Sequence, residues 1–247
     1  MRRALRALAA SVVLLSLWQC LVWAFAIPPF ILPGPLAVTV TIMAQWQLLG
    51  WHATVTLAEI LTSLLLAGVL GTATAIAMAA WQPVRSLALP VLLLSQAIPI
   101  FALAPILTLW LGYGFWSKVV MALLIVYFPI TSSFHDGLMH TPRGWLDLGR
   151  QLQARPAQLM VRIRIPAALP ALASGLRLAA VYAPIGAVIG EWVGASQGLG
   201  YLMLFANGRA KIDLMFAGLV VLLAVTLMLR AATELLCRSL LRRYPPA

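Results

Sequence analysis

The segment from Arg143 to Pro170, RGWLDLGRQLQARPAQLMVRIRIPAALP, is the longest polar interval in a chain that is otherwise largely apolar. Between Leu146 and Leu159 its apolar residues recur at roughly helical spacing, and Pro156 falls inside this pattern. Because a proline removes a backbone donor and disfavours helix in the residue before it, the pattern predicts two short helical pieces joined by a bend. The segment contains one acid, Asp147, and five arginines: Arg143, Arg150, Arg155, Arg162 and Arg164.

The composition around this segment indicates an integral membrane protein. Of the 247 residues, 63% are apolar and 9% are charged, whereas soluble domains are about half apolar and about a quarter charged. The net charge of +11 would suggest a nucleic-acid partner in a soluble protein. Here the arginines lie mainly between and beside apolar runs, so membrane topology explains them. We therefore expect a lipid bilayer as the surroundings and no nucleic acid as a partner.

About six apolar stretches are long enough to cross a bilayer, which takes roughly 20 residues. An interfacial helix is predicted over 36–49, with Trp46 and Trp51 at membrane-surface depth. The first stretch follows a basic start as in a signal peptide, but it lacks a clean small-residue cleavage site, so we expect a retained helix. The fold class is therefore an all-α integral membrane protein with one transmembrane domain over 1–247. The six stretches are about 7–27, 53–80, 87–111, 119–134, 171–193 and 214–236.

The basic residues predict the orientation of the chain. Placing the N-terminus inside puts 12 of the 17 lysines and arginines on the cytoplasmic side. Only Lys118, Arg209 and Lys211 then lie outside, while Arg177 and Arg230 fall within spans near their cytoplasmic ends. The positive-inside rule favours this arrangement, with both termini and the 143–170 loop in the cytoplasm. The cytoplasmic set is Arg2, Arg3, Arg6, Arg85, the five arginines of the loop, Arg238, Arg242 and Arg243.

Small residues and prolines mark the middle spans. Ser63, Ala67, Gly71 and Ala75 recur every four residues in the second span, which predicts a face for close helix packing. Prolines in the third span (Pro99 and Pro105) and in the fourth (Pro129) predict kinks whose freed carbonyl groups need a partner inside a bundle or a water-filled cavity. Such kinks suit a translocation path and are equally compatible with a purely structural role.

The 143–170 loop resembles the EAA loop of permease subunits in ABC importers, whose pattern is E-A-A, three residues, G, nine residues, I-x-L-P. The residues Asp147-Leu148-Gly149, then Gln153, then Ile163-Arg164-Ile165-Pro166 keep that spacing. The residue types depart from the pattern: Asp replaces Glu, Leu replaces the first Ala, and Gln153 replaces the glycine. The missing glycine puts the bend of the family in question, and Pro156 is a possible substitute nearby.

The resemblance extends over nearly the whole chain. Segments such as TLAEILTSLLLAGVLG and IGEWVGASQGLGYLM are similar to spans of the taurine, alkanesulfonate and nitrate branch of these permeases. Within that branch, the stretch from 179 to 216 is most similar to permeases for thiamine pyrimidine precursors of the hydroxymethylpyrimidine type. The resemblance implies a bacterial inner-membrane permease with this cargo. A taurine-, alkanesulfonate- or nitrate-type cargo is the alternative.

The resemblance also implies the partners. Two copies of the chain form the path, two ATP-binding cassette subunits dock on the loops, and an extracytoplasmic binding protein delivers the solute. The loop residues that the resemblance assigns to ATPase coupling are Asp147, Leu148, Gly149, Gln153, Ala154, Ile163, Ile165 and Pro166. The residues themselves agree on one point, because the chain lacks a G-x-x-x-x-G-K-[ST] phosphate-binding loop. We expect no cofactor and no catalytic residue in this chain, with ATP and Mg²⁺ held by the partner ATPase.

Candidate path residues are Glu59, Pro99, Pro105, Tyr182 and Glu191. A charge within a span costs about 2.5–3.5 kcal/mol on insertion scales, so Glu59 is either a path-lining carboxylate or an acid that reaches the outer surface near His52. Glu191 lies at the outer end of the fifth span, where interfacial anchoring is expected first and docking of the binding protein second. The Tyr182 ring could stack on a heteroaromatic solute, although core packing is the more common role of such a residue.

Metal binding and other function classes have weaker support. His135, Asp136 and His140 match no strong ligand spacing, so we expect no metal site. Cys20 and Cys237 show no metal or redox spacing either. An intramembrane enzyme would need clustered nucleophile and base side chains, and a self-sufficient secondary transporter would usually show internal repeats with paired broken helices. Neither pattern is visible in the sequence.

Overall fold

The structure is a computed structural model that describes residues 2–242, without the side chains of residues 2–8, 10 and 11. Arg243 and the side chains of Arg2, Arg3 and Arg6, which belong to the expected cytoplasmic set, therefore lie outside the described residues. The described chain folds into eleven α-helices and one π-helical turn, Met160–Arg164. The helices are α1 (Arg2–Ala24), α2 (Pro35–Ala44), α3 (Trp46–Ala80), α4 (Gln82–Ala97), α5 (Ile100–Leu111), α6 (Phe115–Met139), α7 (Arg143–Gln151), α8 (Pro156–Leu159), α9 (Ile165–Gly194), α10 (Leu199–Gly208) and α11 (Ile212–Arg242).

Four of the expected spans are confirmed as continuous apolar helices: α3, α6, the run from α8 through α9, and α11. The third expected span consists of α4 and α5, which meet at a bend of 102°. Pro99 is the N-cap residue of α5 at this bend, whereas Pro105 lies within α5 and does not end it. The first expected span, about 7–27, falls mostly in α1, which ends at Ala24, three residues before the expected end.

The expected interfacial helix over 36–49 is wrong in its extent. The structure ends α2 at Ala44 and begins α3 at Trp46, so the second half of the expected helix belongs to the long second span. Gln45 separates the two helices with φ −114° and ψ 22°, and its N–H caps Thr41 O at 2.9 Å. The break contains no proline or glycine, which explains why the sequence pattern did not show it.

The centre of the bundle is the packing of α6 against α9, which depends on residues without side-chain bulk. A Cβ added at Gly175 would lie 2.7 Å from the carbonyl oxygen of Pro129, and one at Gly186 would lie 2.5 Å from Cα of Ala122. Real Cβ contacts are not this short, so glycine is required at both positions for the two backbones to approach. Buried alanines of α9, among them Ala179, Ala183 and Ala187, extend the same face.

Helix α3 packs on α6 through its small residues. Ser63, Ala67, Gly71 and Ala75 are all buried, so the predicted packing face is confirmed. A Cβ at Gly71 would lie 2.9 Å from Oγ1 of Thr131, which is itself buried. Thr131 is therefore an internal residue of this subunit and is not available for contact with a second copy.

The 143–170 loop contains the two predicted helical pieces, α7 and α8. The bend between them lies at Gln153, whose φ of +56° is in the left-handed region. The N–H of Ala154 donates to Gly149 O at 3.0 Å, and the N–H of Gln153 donates to Arg150 O at 2.9 Å. These bonds and the left-handed residue form the C-terminal cap that usually contains a glycine. Gln153 thus adopts the glycine conformation without being glycine.

Candidate functional site

Three charged side chains are buried together at the end of the bundle where α9 connects to α10. Glu59 of α3, Lys118 of α6 and Glu191 of α9 are exposed by only 3%, 2% and 1%. Charged residues are almost never fully buried unless they are paired or hydrogen-bonded. We call these three residues the charge cluster.

Lys118 joins the turn before α6 to the end of α9. Its Nζ donates to the carbonyl oxygens of Tyr113, Gly114 and Gly194 at 2.5 to 3.0 Å. An ammonium group has three protons, so these three bonds use all of them. A Cβ at Gly190 would lie 3.0 Å from Cα of Lys118, so the absence of a side chain there lets α9 approach α6 at the lysine.

Glu191 holds the start of α10 against α3. One carboxylate oxygen accepts a hydrogen bond from Oγ1 of Thr56 at 2.6 Å, and the other accepts from the N–H groups of Gly200 and Tyr201. Those N–H groups lie in the first turn of α10, where backbone N–H groups have no carbonyl acceptor within the helix. The carboxylate therefore caps α10 through hydrogen bonds and through favourable interaction with the helix dipole.

The connection between α9 and α10 is fastened to α3 by two further bonds. The N–H of Gly198 donates to Nδ1 of His52 at 3.0 Å, and the N–H of Leu199 donates to Oγ1 of Thr56 at 2.8 Å. Gly198 has φ +111°, and a Cβ there would overlap the carboxyl group of Glu191. Only glycine satisfies both requirements, so this position determines how closely the connection covers Glu191.

Glu59 differs from the other two charges because one of its oxygens is unused. Glu59 is buried at the same end of the bundle as Glu191, and its carboxyl group is not held by the hydrogen bonds that fix Glu191. The second oxygen of Glu59, Oε2, is buried and has no hydrogen-bond partner among the described residues. Leaving a buried acceptor unsatisfied costs about 1–3 kcal/mol. Glu59 also lines an open cavity of about 380 Å³.

The structure corrects two expectations about the candidate path residues. Glu191 is not an interfacial anchor or an exposed docking residue, because it is buried and fully hydrogen-bonded inside the subunit. Tyr182 is not a core residue, because it is 40% exposed beside the exposed Ile185 and Leu178 of α9. Glu59 is buried rather than extended toward the surface. Pro99 and Pro105 lie on exposed parts of α4–α5 and are not among the residues that line the Glu59 cavity.

The expected coupling residues form a compact unit at the opposite end of the bundle. Asp147 pairs with Arg150 at 2.9 Å on the exposed side of α7, where Leu148 and Leu152 are 58% and 74% exposed. Gly149 faces inward, and a Cβ there would lie 2.5 Å from Leu159 and 2.9 Å from Ile163. Ile163, Ile165 and Pro166 are half-buried at the junction of the π-helical turn with α9, and Ala154 is half-buried at the bend.

Three other titratable residues near the ends of spans have a polar group close by, although Nε2 of His135 is buried without a hydrogen-bond partner among the described residues. His135 Nδ1 lies 3.6 Å from Asp136 Oδ1, and His140 Nδ1 lies 2.7 Å from the carbonyl oxygen of Asp136. Arg177, expected within the fifth span, pairs with Glu234 of α11 at 2.6 Å. Among the residues that the structure describes, no group of three or more His, Cys, Asp or Glu side chains is arranged to hold a metal ion.

Sequence reasoning missed Lys118, Thr56 and His52 as members of the site. Lys118 was placed on the extracytoplasmic side without a role in the site, and Thr56 was not singled out. A signal was present, because Thr56 and Glu59 are three residues apart and share a face of a helix with His52. This helical spacing does not reveal which segment contacts the face. The segment is 191–201, and only the tertiary structure brings it there.

The fold and this geometry define a polytopic membrane subunit with a charged loop at one end, and comparison with known proteins gives its family. The family model described as "binding-protein-dependent transport system inner membrane component" matches residues 67–243. The chain belongs to this family. It is a membrane-spanning permease subunit of an ATP-driven ABC importer in the inner membrane, a non-catalytic transport component that works with an ATPase and a binding protein.

Relatives cover most of this chain. It is 48% identical over 227 residues to a probable ABC transporter permease protein of Haemophilus influenzae, covering 92% of this chain and 93% of the relative. It is 42% identical over 174 residues to the formylaminopyrimidine transport permease protein ThiX of Halalkalibacterium halodurans, covering 70% of each. It is 35% identical over 234 residues to the riboflavin transport system permease protein RibX of Chloroflexus aurantiacus, covering 93% and 86%.

More distant comparisons agree on the fold. The taurine transport system permease protein TauC of Escherichia coli is 27% identical over 245 residues, covering 95% of this chain and 86% of that protein. A structure of the MetNI methionine ABC transporter in an inward-facing conformation matches with a TM-score of 0.68 at 19% identity, covering 80% of this chain and 98% of the other. At this identity the structural likeness supports the fold alone.

Proposed function

We propose that this permease imports a thiamine pyrimidine precursor of the hydroxymethylpyrimidine type. The observation that carries the proposal is the order of identities among the relatives. Those named for nitrogen heteroaromatic solutes, formylaminopyrimidine and riboflavin, are 42% and 35% identical, whereas the one named for taurine is 27% identical. A taurine-, alkanesulfonate- or nitrate-type cargo is the second candidate, supported by that more distant relative.

We further propose that the 143–170 loop is the docking site of the ATPase. The exposed side of α7 carries Trp145, Leu148 and Leu152 at 43%, 58% and 74% exposure, beside the charged pair of Asp147 and Arg150. Apolar side chains on a charged segment outside the spans favour a protein partner over water. ATP and Mg²⁺ would then be held entirely by that partner, which leaves this chain to transmit movement through α7, α8 and the π-helical turn.

The proposed orientation places both termini and this loop in the cytoplasm. Its support is the distribution of basic residues, since the loop has five arginines and the α10–α11 connection has only Arg209 and Lys211. The charge cluster then lies at the extracytoplasmic end, close to the membrane surface where a binding protein delivers the solute. The domain boundary remains a prediction of a single permease domain over 1–247.

The proposed assembly contains two copies of this chain and two ATPase subunits, with the path between the copies. Exposed side chains on α5 and α9 support it, among them Trp110 at 75% and Ile185 at 51% exposure, next to Tyr182. The bent pair α4–α5 has backbone groups at Pro99 that need protein or water beside them. A two-fold partner is the common way to cover such a face.

Uptake into proteoliposomes that contain the permease, its ATPase and its binding protein tests the cargo. We expect ATP-dependent accumulation of labelled hydroxymethylpyrimidine that is inhibited by unlabelled formylaminopyrimidine and not by taurine. Accumulation of taurine or methanesulfonate, with no pyrimidine uptake, would favour the second candidate instead.

A further inference from the structure

We propose that the cavity beside Glu59 is a cargo-binding site, in which the Glu59 carboxyl group accepts a hydrogen bond from the amino group of a small nitrogen heteroaromatic solute. This inference rests on the proposed function and adds to it the means of recognition. The cavity lies between α3, the turn before α6 and the α9–α10 connection, and has a volume of about 380 Å³. Sites for small molecules measure about 300–1,000 Å³, so one substituted ring fits here.

Glu59 is the member of the charge cluster with capacity left for a ligand. All three protons of Lys118 are donated to carbonyl oxygens, and both oxygens of Glu191 accept hydrogen bonds from Thr56 and the start of α10. The Oε2 atom of Glu59 has no partner among the described residues although it is buried. The Glu59 side chain lines the cavity, so a small rotation of its carboxyl group would present this acceptor to a ligand there. An aromatic amino group supplies the matching donor without a fixed charge.

The walls of the cavity suit a flat, polar ring. Tyr113 and Phe115 line the cavity and are 75% and 37% exposed, and their aromatic rings are suited to stacking on a planar solute. Ser196 and Gln197 lie exposed on the α9–α10 connection, and a hydroxyl and an amide can both donate to ring nitrogens. The site therefore combines an acceptor, aromatic faces and neutral donors, which are the groups that an aminopyrimidine requires.

The same walls disfavour an anionic cargo. Lys118 is the only cation among the residues that line the cavity, and its protons are already used. A sulfonate placed here would meet a carboxyl acceptor and no free cationic donor, and burying an uncompensated charge is strongly unfavourable. The cavity thus favours an amino heteroaromatic over a sulfonate, because it offers a carboxyl acceptor and no free cationic donor.

Ligand-observed NMR on the permease–ATPase complex in nanodiscs, without the binding protein, tests the site directly. The probes are 4-aminopyrimidine, unsubstituted pyrimidine and methanesulfonate. We expect wild type to bind 4-aminopyrimidine about tenfold or more tightly than pyrimidine, as for a hydrogen bond to a charged or partly charged acceptor. Glu59→Ala should abolish that preference while leaving weak pyrimidine binding in place. Phe115→Leu should weaken both ring compounds equally.

Asp136→Asn is the matched control, because it removes a carboxylate from the far end of α6 without touching the cavity, and it should retain the wild-type preference. Equal binding of the two pyrimidines by wild type, or an unchanged preference in Glu59→Ala, would overturn the inference. So would equal loss of both ring compounds in that variant, which would assign Glu59 a structural role. Failure of pyrimidine uptake in proteoliposomes, together with Glu59-dependent binding of 4-aminopyrimidine in nanodiscs, would reject the proposed cargo and retain the site.

Discussion

The two ends of the bundle use charge in opposite ways. At the α9–α10 end, Glu59, Lys118 and Glu191 point inward and are almost completely buried, and two of them hold the connection in place through hydrogen bonds. At the 143–170 end, Asp147 and Arg150 point outward at 59% and 64% side-chain exposure, next to exposed leucines. Internal charges stabilise one conformation of the subunit, whereas exposed charges contribute little until a partner covers them.

Gly198→Ala should cause the largest loss of stability, because it disrupts the buried α9–α10 end. The added Cβ overlaps the Glu191 carboxyl group, and alanine is strained at φ +111°. We expect the free energy of unfolding to fall by about 3 kcal/mol or more, which a lowered thermal midpoint of the purified complex would show. Gly208→Ala is the matched control, since a Cβ there meets nothing within 4 Å. Equal midpoints for the two variants would contradict the packing of Glu191 under Gly198.

Glu191→Gln should have the next largest effect. The amide keeps the size of the carboxylate but replaces one acceptor with a donor, which faces either Thr56 or the N–H groups of α10. We expect a loss of about 2 kcal/mol, within the range for a buried hydrogen bond left unmade. Hydrogen exchange should increase at Gly200 and Tyr201 and remain unchanged in α7. Unchanged exchange at the start of α10 would refute its capping by Glu191.

Asp147→Lys should leave the fold nearly unchanged and impair the partner contact. The exposed pair with Arg150 is worth about 0–1 kcal/mol, so the thermal midpoint should stay close to that of wild type. Association with the ATPase and ATP-dependent uptake should both decrease, because the lysine adds a third positive charge near Arg150 and Arg143 on the proposed docking surface. Asp136→Lys serves as a control outside the loop. Normal association and normal uptake in Asp147→Lys would remove Asp147 from the coupling role.

Gln153→Gly should have the smallest effect on stability, and it should raise the free energy of unfolding rather than lower it. Glycine adopts φ +56° without the steric cost that glutamine bears, so the variant should gain about 0.5–1 kcal/mol in free energy of unfolding. Gln151→Gly, two residues earlier in α7, should lose a similar amount because glycine is a poor helix former. Thermal unfolding of both variants measures the difference. A loss of stability in Gln153→Gly would mean that the side chain makes an essential contact.

The sequence predicted the exposed end better than the buried one. The two helical pieces of the loop follow from local spacing and are present as α7 and α8, but the bend between them lies at Gln153, three residues before the Pro156 that was expected to cause it. The packing face of α3 follows from the four-residue recurrence of small side chains. In contrast, Glu191 was expected at the membrane surface, because its neighbour Trp192 and its place at the end of a span are what interfacial residues show.

Local pattern also misjudged Tyr182 and the break at Gln45. The side chain of Tyr182 is exposed although tyrosines within spans commonly pack in the core, and the face that it occupies is decided by how α9 rotates against α6. The glycines that set this rotation, Gly175 and Gly186, are visible in the sequence, but their partners Pro129 and Ala122 lie in another helix. Hydropathy reports which residues leave water and does not report which neighbour they meet.

The sequence by itself determined that this protein lies in a membrane, that it is helical, and which family it resembles. These depend on composition, on the length of apolar runs and on motif spacing, which are properties of neighbouring residues. Only the tertiary structure decided which charges are internal. Thr56 and His52 acquire their roles from Glu191, Gly198 and Leu199, more than 130 residues later in the chain. The residues next to a glutamate in the sequence do not decide whether its carboxylate faces water or is buried beneath a turn. That is decided when the helices pack, because burying the charge costs free energy unless partners are in place.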